Sequence, residues 1–381
     1  MRLQPLRRNI FPTSGTFSYN PTRIVWIAVF LLLLTSALIS KRSNRKYEIQ
    51  FFDTNISDYI DFNELKSDRI DNIIIRTFEN RNPPKGLLFQ NSDYRELGTF
   101  LKRMVAKRQI AEKIDNSSTL WGWMISRNFN WIQQTHLYDQ RYIDGKLERI
   151  PKYDLFNEAA VQKIVEIYGE LAHHALDGIL IQDDLIIKYN EGMSIHGNRW
   201  FRRETGIPAN LQKMIRKGNY YNREWVKIKK KRVIAVLNRI VDRIKAVNPR
   251  ITVGMNLYYE TPLFIDRGEL WYAHNLSELL DSRLDLIYLM SYQNQIQREM
   301  KTSEKENRAL FKRIVEAAYR LAGDRLVVKI QLYDWKSGVR ISRRRALAYL
   351  KLIPRKVKRI CFTPVKRTDL KFVKKIIRKA R

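Results

Sequence analysis

The chain has 381 residues, 44% of them hydrophobic, which is enough for one large domain or two ordinary ones with a real core. A net charge of +32 points to an acidic surface, polymer or nucleic acid as a neighbour. The single cysteine, Cys361, excludes an intramolecular disulfide, and its apolar neighbours Ile360 and Phe362 mark it as a core residue.

Residues 1–23 form a basic leader without an acid, expected on the cytoplasmic side. Residues 24–40 read IVWIAVFLLLLTSALIS, an uncharged run of seventeen at the lower limit for a bilayer-spanning helix. A cleaved signal peptide is the competing reading. The run lacks a clear A-x-A site and is long for a signal core, so an uncleaved anchor of the inner membrane, with the body outside the cytoplasm, is expected.

From residue 46 onwards, strand-like and helix-like runs alternate. Short runs rich in Ile, Val, Leu and aromatics predict strands at 48–52, 72–77, 120–125, 178–182, 251–256, 284–290, 326–331 and 359–363. Helical spacing predicts helices at 94–113, 159–172, 225–247, 304–322, 342–352 and 368–379. The helix at 225–247 carries Val233, Val236, Leu237, Ile240 and Ile244 on one face and stops at Asn248-Pro249. Eight strands alternating with helices predict an α/β chain whose residues 46–381 form a (β/α)8 barrel of the TIM type, preceded by one transmembrane helix. A doubly wound open sheet is the alternative. Its nucleotide-binding versions lose support because no glycine-rich phosphate loop follows any strand.

In such a barrel the chemistry collects where strands end. The segment DGILIQDDL, 177–185, runs an apolar strand into Asp183 and Asp184. Strand three contributes Trp121 and Trp123. Strand five leads to Asn256 and Tyr258, strand six to Tyr292 and Asn294, and strand seven to Gln331, Asp334 and Trp335. Carboxylates, amides and aromatic faces together suit a sugar. Glycosidic cleavage needs a proton donor to the leaving oxygen and commonly a second carboxylate. If the strand continues through the pair, one aspartate points to the barrel axis and the other holds it or raises its pKa. An aspartate capping a turn or helix start is the bland alternative.

His173 and His174 are adjacent, do not share a helix face and lack a third ligand at zinc spacing, so no metal site is predicted. His196, in the long segment after strand four, is a candidate for lining the site. Basic runs at 227–232, 343–345 and 355–359 lie on or beside outer helices, where a solvated face competes with contact to anionic lipid or an acidic glycan. Nucleic acid is disfavoured, because no recognition motif is present and aromatics do not interleave the basic runs.

Taken in order, these strand ends resemble the C-terminal glycoside-hydrolase domain of the PgaB family, over roughly 158–335 and more loosely over the whole barrel. DGILIQDDL resembles that family's D-G-I/L-L-F-H-D-D. NLYYETPLFIDRGELWYAHNLSELL, 256–280, resembles its N-I/L-F/Y-A … E-A-W-F-A-Q-N stretch. LIYLMSYQN, 286–294, resembles I-M-A-M-P-Y-x-E, and KIQLYDW, 329–335, resembles E-L-Q-x-x-x-W. The resemblance implies a (β/α)8 hydrolase of β-1,6-linked, partly deacetylated N-acetylglucosamine chains. It places Asp183 and Asp184 on the family's paired aspartates and Glu191 on an acidic position shortly after them. Asn256, Tyr258, Tyr292, Gln331 and Trp335 also match. No deacetylase domain is expected.

The chain departs from the family at Gln182, where the family has His, at Asn294 and Lys329, where it has Glu, and at Met255, where it has Arg. Two carboxylates are thereby lost from the groove, which argues against a strongly cationic ligand and towards a neutral or acidic glycan. The expected protein is a membrane-anchored, extracytoplasmic hydrolase of an exopolysaccharide. Asp183 or Asp184 is its general acid, Glu191 a further carboxylate, and Trp121, Trp123, Tyr258, Tyr292 and Trp335 its sugar platform. No metal or organic cofactor is implied. A catalytically silent barrel that binds a glycan or scaffolds an export complex is the alternative.

Overall fold

A computed structural model describes residues 45–53, 56–80, 85–89, 95–114 and 118–379. Eight parallel strands close into a barrel: β1 (Lys46–Phe51), β2 (Ile70–Arg76), β3 (Thr119–Met124), β4 (Gly178–Ile181), β5 (Thr252–Tyr258), β6 (Leu286–Met290), β7 (Leu326–Gln331) and β8 (Arg359–Val365). Each strand pairs with its sequence neighbours, and β1 closes the ring on β8, with Ile49 opposite Phe362. The strands are buried on both faces, which is why they read as nearly continuous apolar runs rather than alternating ones.

Helices follow the strands in turn: α1 (Phe62–Ser67), α2 (Arg95–Ile114), α3 (Glu158–Ala172), α4 (Tyr220–Val247), α5 (Leu276–Leu280), α6 (Glu304–Ala322), α7 (Arg343–Leu350) and α8 (Leu370–Lys379). All eight expected strands are present within two residues at most boundaries, and each expected helix has a counterpart. The start of α4 lies five residues earlier than its apolar spacing suggested, because Asn219 caps it by accepting from the Asn222 amide. The sequence reading did not find α1, α5, or the short helices Ile195–Thr205, Ile265–Tyr272 and Gln293–Glu299. It also missed a hairpin of Tyr138–Ile143 and Lys146–Tyr153, turned at Asp144 and Gly145, both with positive φ. The proposed span at 24–40 lies outside the described residues, and among those described no helix is long and apolar enough to cross a membrane.

Two glycines make room for the barrel interior. A Cβ on Gly178 would lie 2.2 Å from the Trp121 ring, and one on Gly254 would lie 2.5 Å from the Tyr288 ring. Trp121 and Tyr288 fill that level, with ring centroids 5.9 Å apart. Two residues further along the odd strands come Gln50, Trp123, Asn256 and Lys329, from β1, β3, β5 and β7. This is the four-residue layer that alternate strands give a barrel, here at the level where the interior opens.

The basic run at 227–232 is not uniformly a solvated face. Lys229 and Arg232 are buried, Lys229 against the carbonyls of Lys188 and Leu270, and Arg232 against the Leu155 carbonyl and Glu158. Both turn inward to satisfy backbone oxygens of neighbouring segments: Lys229 those of the loop after β4 and of the helix Ile265–Tyr272, and Arg232 that of the segment before α3.

Candidate active site

The mouth of the barrel holds a cavity of about 300 Å³. Its floor is the odd-strand layer. Its walls are Phe52, Gln182, Asp183, Tyr258, Tyr292 and Trp335, and its rim carries Gln295, Arg298 and Glu299. β4 sets the two aspartates apart. The Gln182 amide still bonds the Met124 carbonyl as a strand residue would, and the chain then turns.

Asp183 faces the cavity, half-buried, and its Oδ2 accepts from the Tyr258 hydroxyl at 2.9 Å. Burial, with Asp183 beside it, keeps the Tyr258 phenol protonated well above its ordinary range. The Tyr258 ring lies flat on Tyr272, with centroids 4.0 Å apart.

Asp184 points away from the cavity. Its carboxylate accepts from the backbone amides of Ser126, Arg127 and Asn128 at 2.8, 2.8 and 2.9 Å. Burial raises its pKa above the usual carboxylate range, while these three donors oppose the rise. Asp184 therefore pins the turn after β3 to the end of β4. Glu191 is buried outside the cavity lining, where it takes Arg127 at 3.0 Å and Lys152 at 2.7 Å. Burial alone would raise its carboxyl, but these two cations overcome burial and hold it at about 2. Arg127 also binds Asp139 at 2.6 Å, so one guanidinium ties the hairpin to the loop after β4.

Of the other residues singled out from the sequence, the cavity collects Trp123, Asn256, Tyr258, Tyr292 and Trp335. Phe52 links the aromatics, its ring centroid 4.6 Å from Trp123 and 5.4 Å from Trp335. Trp121 belongs to the interior level below. Gln331 accepts from the Asn294 amide, and Asp334 caps the turn at Lys336 and Ser337 while pairing Arg298 at 3.1 Å, so these three residues shape the wall from behind. His196 sits in a separate depression with Trp200 and Arg203, not at the barrel mouth.

Sequence reasoning passed over Gln50, Phe52, Gln295, Arg298 and Glu299. Gln50 and Phe52 lie at the end of β1, a strand whose exit was not read. Glu299 closes a short helix beyond β6, with its carboxylate taking the Tyr259 hydroxyl at 2.8 Å and the Gln295 amide at 2.9 Å. Only the barrel rule itself, extended to every strand and one helical turn further, would have found them.

Lys329 is buried at the floor, donating to Gln50 Oε1 at 2.6 Å and to Asn256 Oδ1 at 2.8 Å. Burial pushes its ammonium down to about 8, against the pull of Asp183 and Glu48. Among the described residues, no group of three or more His, Cys, Asp or Glu is placed to hold a metal ion.

A barrel with paired carboxylates and an aromatic mouth is the frame of a glycosidase, and the comparisons agree. Residues 118–358 match the model of hypothetical glycosyl hydrolase family 13, and the chain belongs to that family. It is similar to the PgaB (BpsB) glycoside hydrolase domain from Bordetella bronchiseptica, at 18% identity and a TM-score of 0.65, covering 87% of this chain and 98% of that one. A catalytic mutant of Gan42B, a GH42 β-galactosidase from G. stearothermophilus, matches at 10% identity and a TM-score of 0.62, over 89% of this chain and 56% of that one. A β-galactosidase from the Antarctic haloarchaeon Halorubrum lacusprofundi matches at 10% identity and 0.57, over 85% and 53%. The chain thus spans little more than half the length of these two galactosidases. No protein of curated function matches the sequence. The protein is an enzyme of the glycoside hydrolase class.

Proposed function

We propose that the barrel mouth cleaves a glycosidic bond within an exopolysaccharide, with Asp183 as the general acid. One observation carries this reading: Asp183 is the member of the aspartate pair inside the cavity, and Tyr258 orients it. Protonated Asp183 gives its proton to the leaving oxygen as the bond breaks. Asp184 acts through its hold on the turn after β3. Glu299 is the other carboxylate of the lining and serves as base or nucleophile from the rim. Phe52, Trp123, Tyr292 and Trp335 offer faces to the pyranose rings. The resemblance of the strand ends to the PgaB family supports a polymer related to poly-β-1,6-N-acetylglucosamine, without deacetylase activity, and Asn294 and Lys329, in place of that family's Glu residues, favour a form of it that also carries neutral or acidic sugars.

The test is mass spectrometry of products from the full chain in mild detergent, given acetylated and partly deacetylated β-1,6-N-acetylglucosamine polymers and uronic-acid-containing polymers. Oligosaccharides that vanish with Asp183→Asn support the assignment. No product from any polymer would sink it and favour a barrel that binds or scaffolds.

Residues 24–40 would anchor this enzyme in the inner membrane with the barrel outside the cytoplasm, and its outer basic side chains would rest on anionic headgroups. A chain starting at Arg45 that stayed in the membrane fraction at high salt would refute the anchor.

A further inference from the structure

The floor of the cavity is built of hydrogen-bond donors. Lys329 is 1% exposed and carries three N–H groups. Gln50 and Asn256 take two of them through neutral amide oxygens, and no carboxylate lies within ion-pair distance of it among the described residues. The third N–H has no hydrogen-bond acceptor among the described residues, and the Tyr292 ring centroid lies 6.0 Å from Nζ. Gln50 cannot turn its amide to help: its Oε1 already accepts from Lys329 and from the Thr363 hydroxyl at 3.2 Å. Its Nε2 is therefore presented as a donor, and it is buried without a partner among the described residues. The indole Nε1 of Trp123 is likewise buried without a partner among the described residues. All three side chains line the same cavity, whose rim carries Glu299 and Arg298, the latter paired with Asp334.

A buried ammonium with no carboxylate at ion-pair distance is costly, and so is each buried donor left unmade. What fills this floor must bring several acceptors and a negative charge. A hydroxyl brings too few acceptors. An acetamido carbonyl brings one neutral oxygen and leaves the ammonium without a counter-charge. A protonated amino sugar would set like charge against like. A carboxylate supplies two oxygens, about four lone-pair sites and the missing charge.

We propose that this floor is a subsite for a hexuronic acid residue of the polysaccharide, with Lys329 as the carboxylate's ionic partner and Gln50 and Trp123 as neutral donors. The proposal rests on the hydrolase reading of the same cavity and names the substrate class within it. Gln182, whose carbonyl in the wall also has no partner among the described residues, accepts from a ring hydroxyl. The specificity is thus written in Lys329, one residue of the strand that also supplies Gln331.

Binding is measured on the full chain at physiological ionic strength, from the fluorescence of Trp123 and Trp335. The probes are the methyl β-glycosides of glucuronic acid, glucose, N-acetylglucosamine and glucosamine. Glucuronide should bind at least about tenfold tighter than glucoside, the discrimination of one charge-assisted hydrogen bond, and glucosaminide weakest. Lys329→Met should abolish the preference, Lys329→Glu should invert it towards glucosaminide, and Asp183→Asn, which removes turnover, should keep it. Equal binding of glucuronide and glucoside, preference for either amino sugar, no binding of any probe, or a preference that survives Lys329→Met would each overturn the subsite. Should the Lys329 variants not fold, the ranking by the wild type decides alone. Failure of the hydrolase reading looks different: glucuronide preferred, with no product from any polymer.

Discussion

The Tyr258 hydroxyl donates to Asp183 Oδ2 at 2.9 Å, joining the ends of the neighbouring strands β5 and β4 at the barrel mouth. Tyr258 is itself held by its stack on Tyr272, whose hydroxyl donates to Glu260 at 3.1 Å. The orientation of the acid is therefore set from the neighbouring strand. Tyr258→Phe keeps the stack and removes only the hydroxyl. It should lower kcat about tenfold with little change in KM, since the lost interaction positions a catalytic group rather than the sugar. A rise in KM at constant kcat would show instead that Tyr258 binds substrate.

The two aspartates should separate by what they lose. Asp183→Asn removes the proton donor and should cut kcat by about 10²–10⁴-fold while leaving the unfolding midpoint unchanged. Asp184→Asn sets an amide NH₂ against backbone N–H donors and should cost about 1–3 kcal/mol of stability, read by denaturant unfolding. Its activity falls only as far as the turn after β3 shifts. The reverse pattern would exchange the roles.

The barrel was legible in the sequence because its strands are buried on both sides. They read as short runs of Ile, Val, Leu and aromatic residues, as in DNIIIR and DLIYLM, and helical spacing fills the gaps. Location of the chemistry followed from the same rule, since strand ends point at one rim. What the sequence left open was direction. Asp183 and Asp184 are equivalent as letters, and only the three amides of residues 126–128 turn Asp184 away. Trp121 and Trp123 lie on one face of β3, so periodicity could not say which level was interior and which was mouth. The hairpin is marked by Asp144-Gly145, a turn signal flanked by the largely polar runs YDQRYI and KLERIPKY, which lack the apolar character of the barrel strands. Lys329 stood out only as a departure from a family pattern; its partners, Gln50 and Asn256, come from strands far away in sequence.

Arg127 joins three segments, so its loss should be structural. Arg127→Met leaves Asp139 and Glu191 buried without their shared cation, at a cost of about 3–5 kcal/mol in denaturant unfolding. The triple variant with Asp139→Asn and Glu191→Gln should recover much of that loss, because the stranded charges go with it. A small effect of the single variant would mean that water reaches the pair.

His274 should make the site sensitive to mild acid. Its ring is buried, and Nε2 must donate, because its partner at 2.9 Å is the Leu185 carbonyl, one residue after the aspartate pair. Burial lowers its pKa to about 4, from an ordinary 6.5. Between those values the unfolded chain binds more protons than the folded one, so stability rises with pH across that window. The contribution is complete above about pH 6.5 and is lost as pH falls towards about 4, amounting to about 3 kcal/mol. Urea midpoints of the wild type should fall across this interval. His274→Gln can still donate to the Leu185 carbonyl but does not titrate, so it should remove this part of the pH dependence while keeping the segment after Asp184 in place. An unchanged slope in that variant would assign the acid sensitivity to other groups and leave His274 as packing alone.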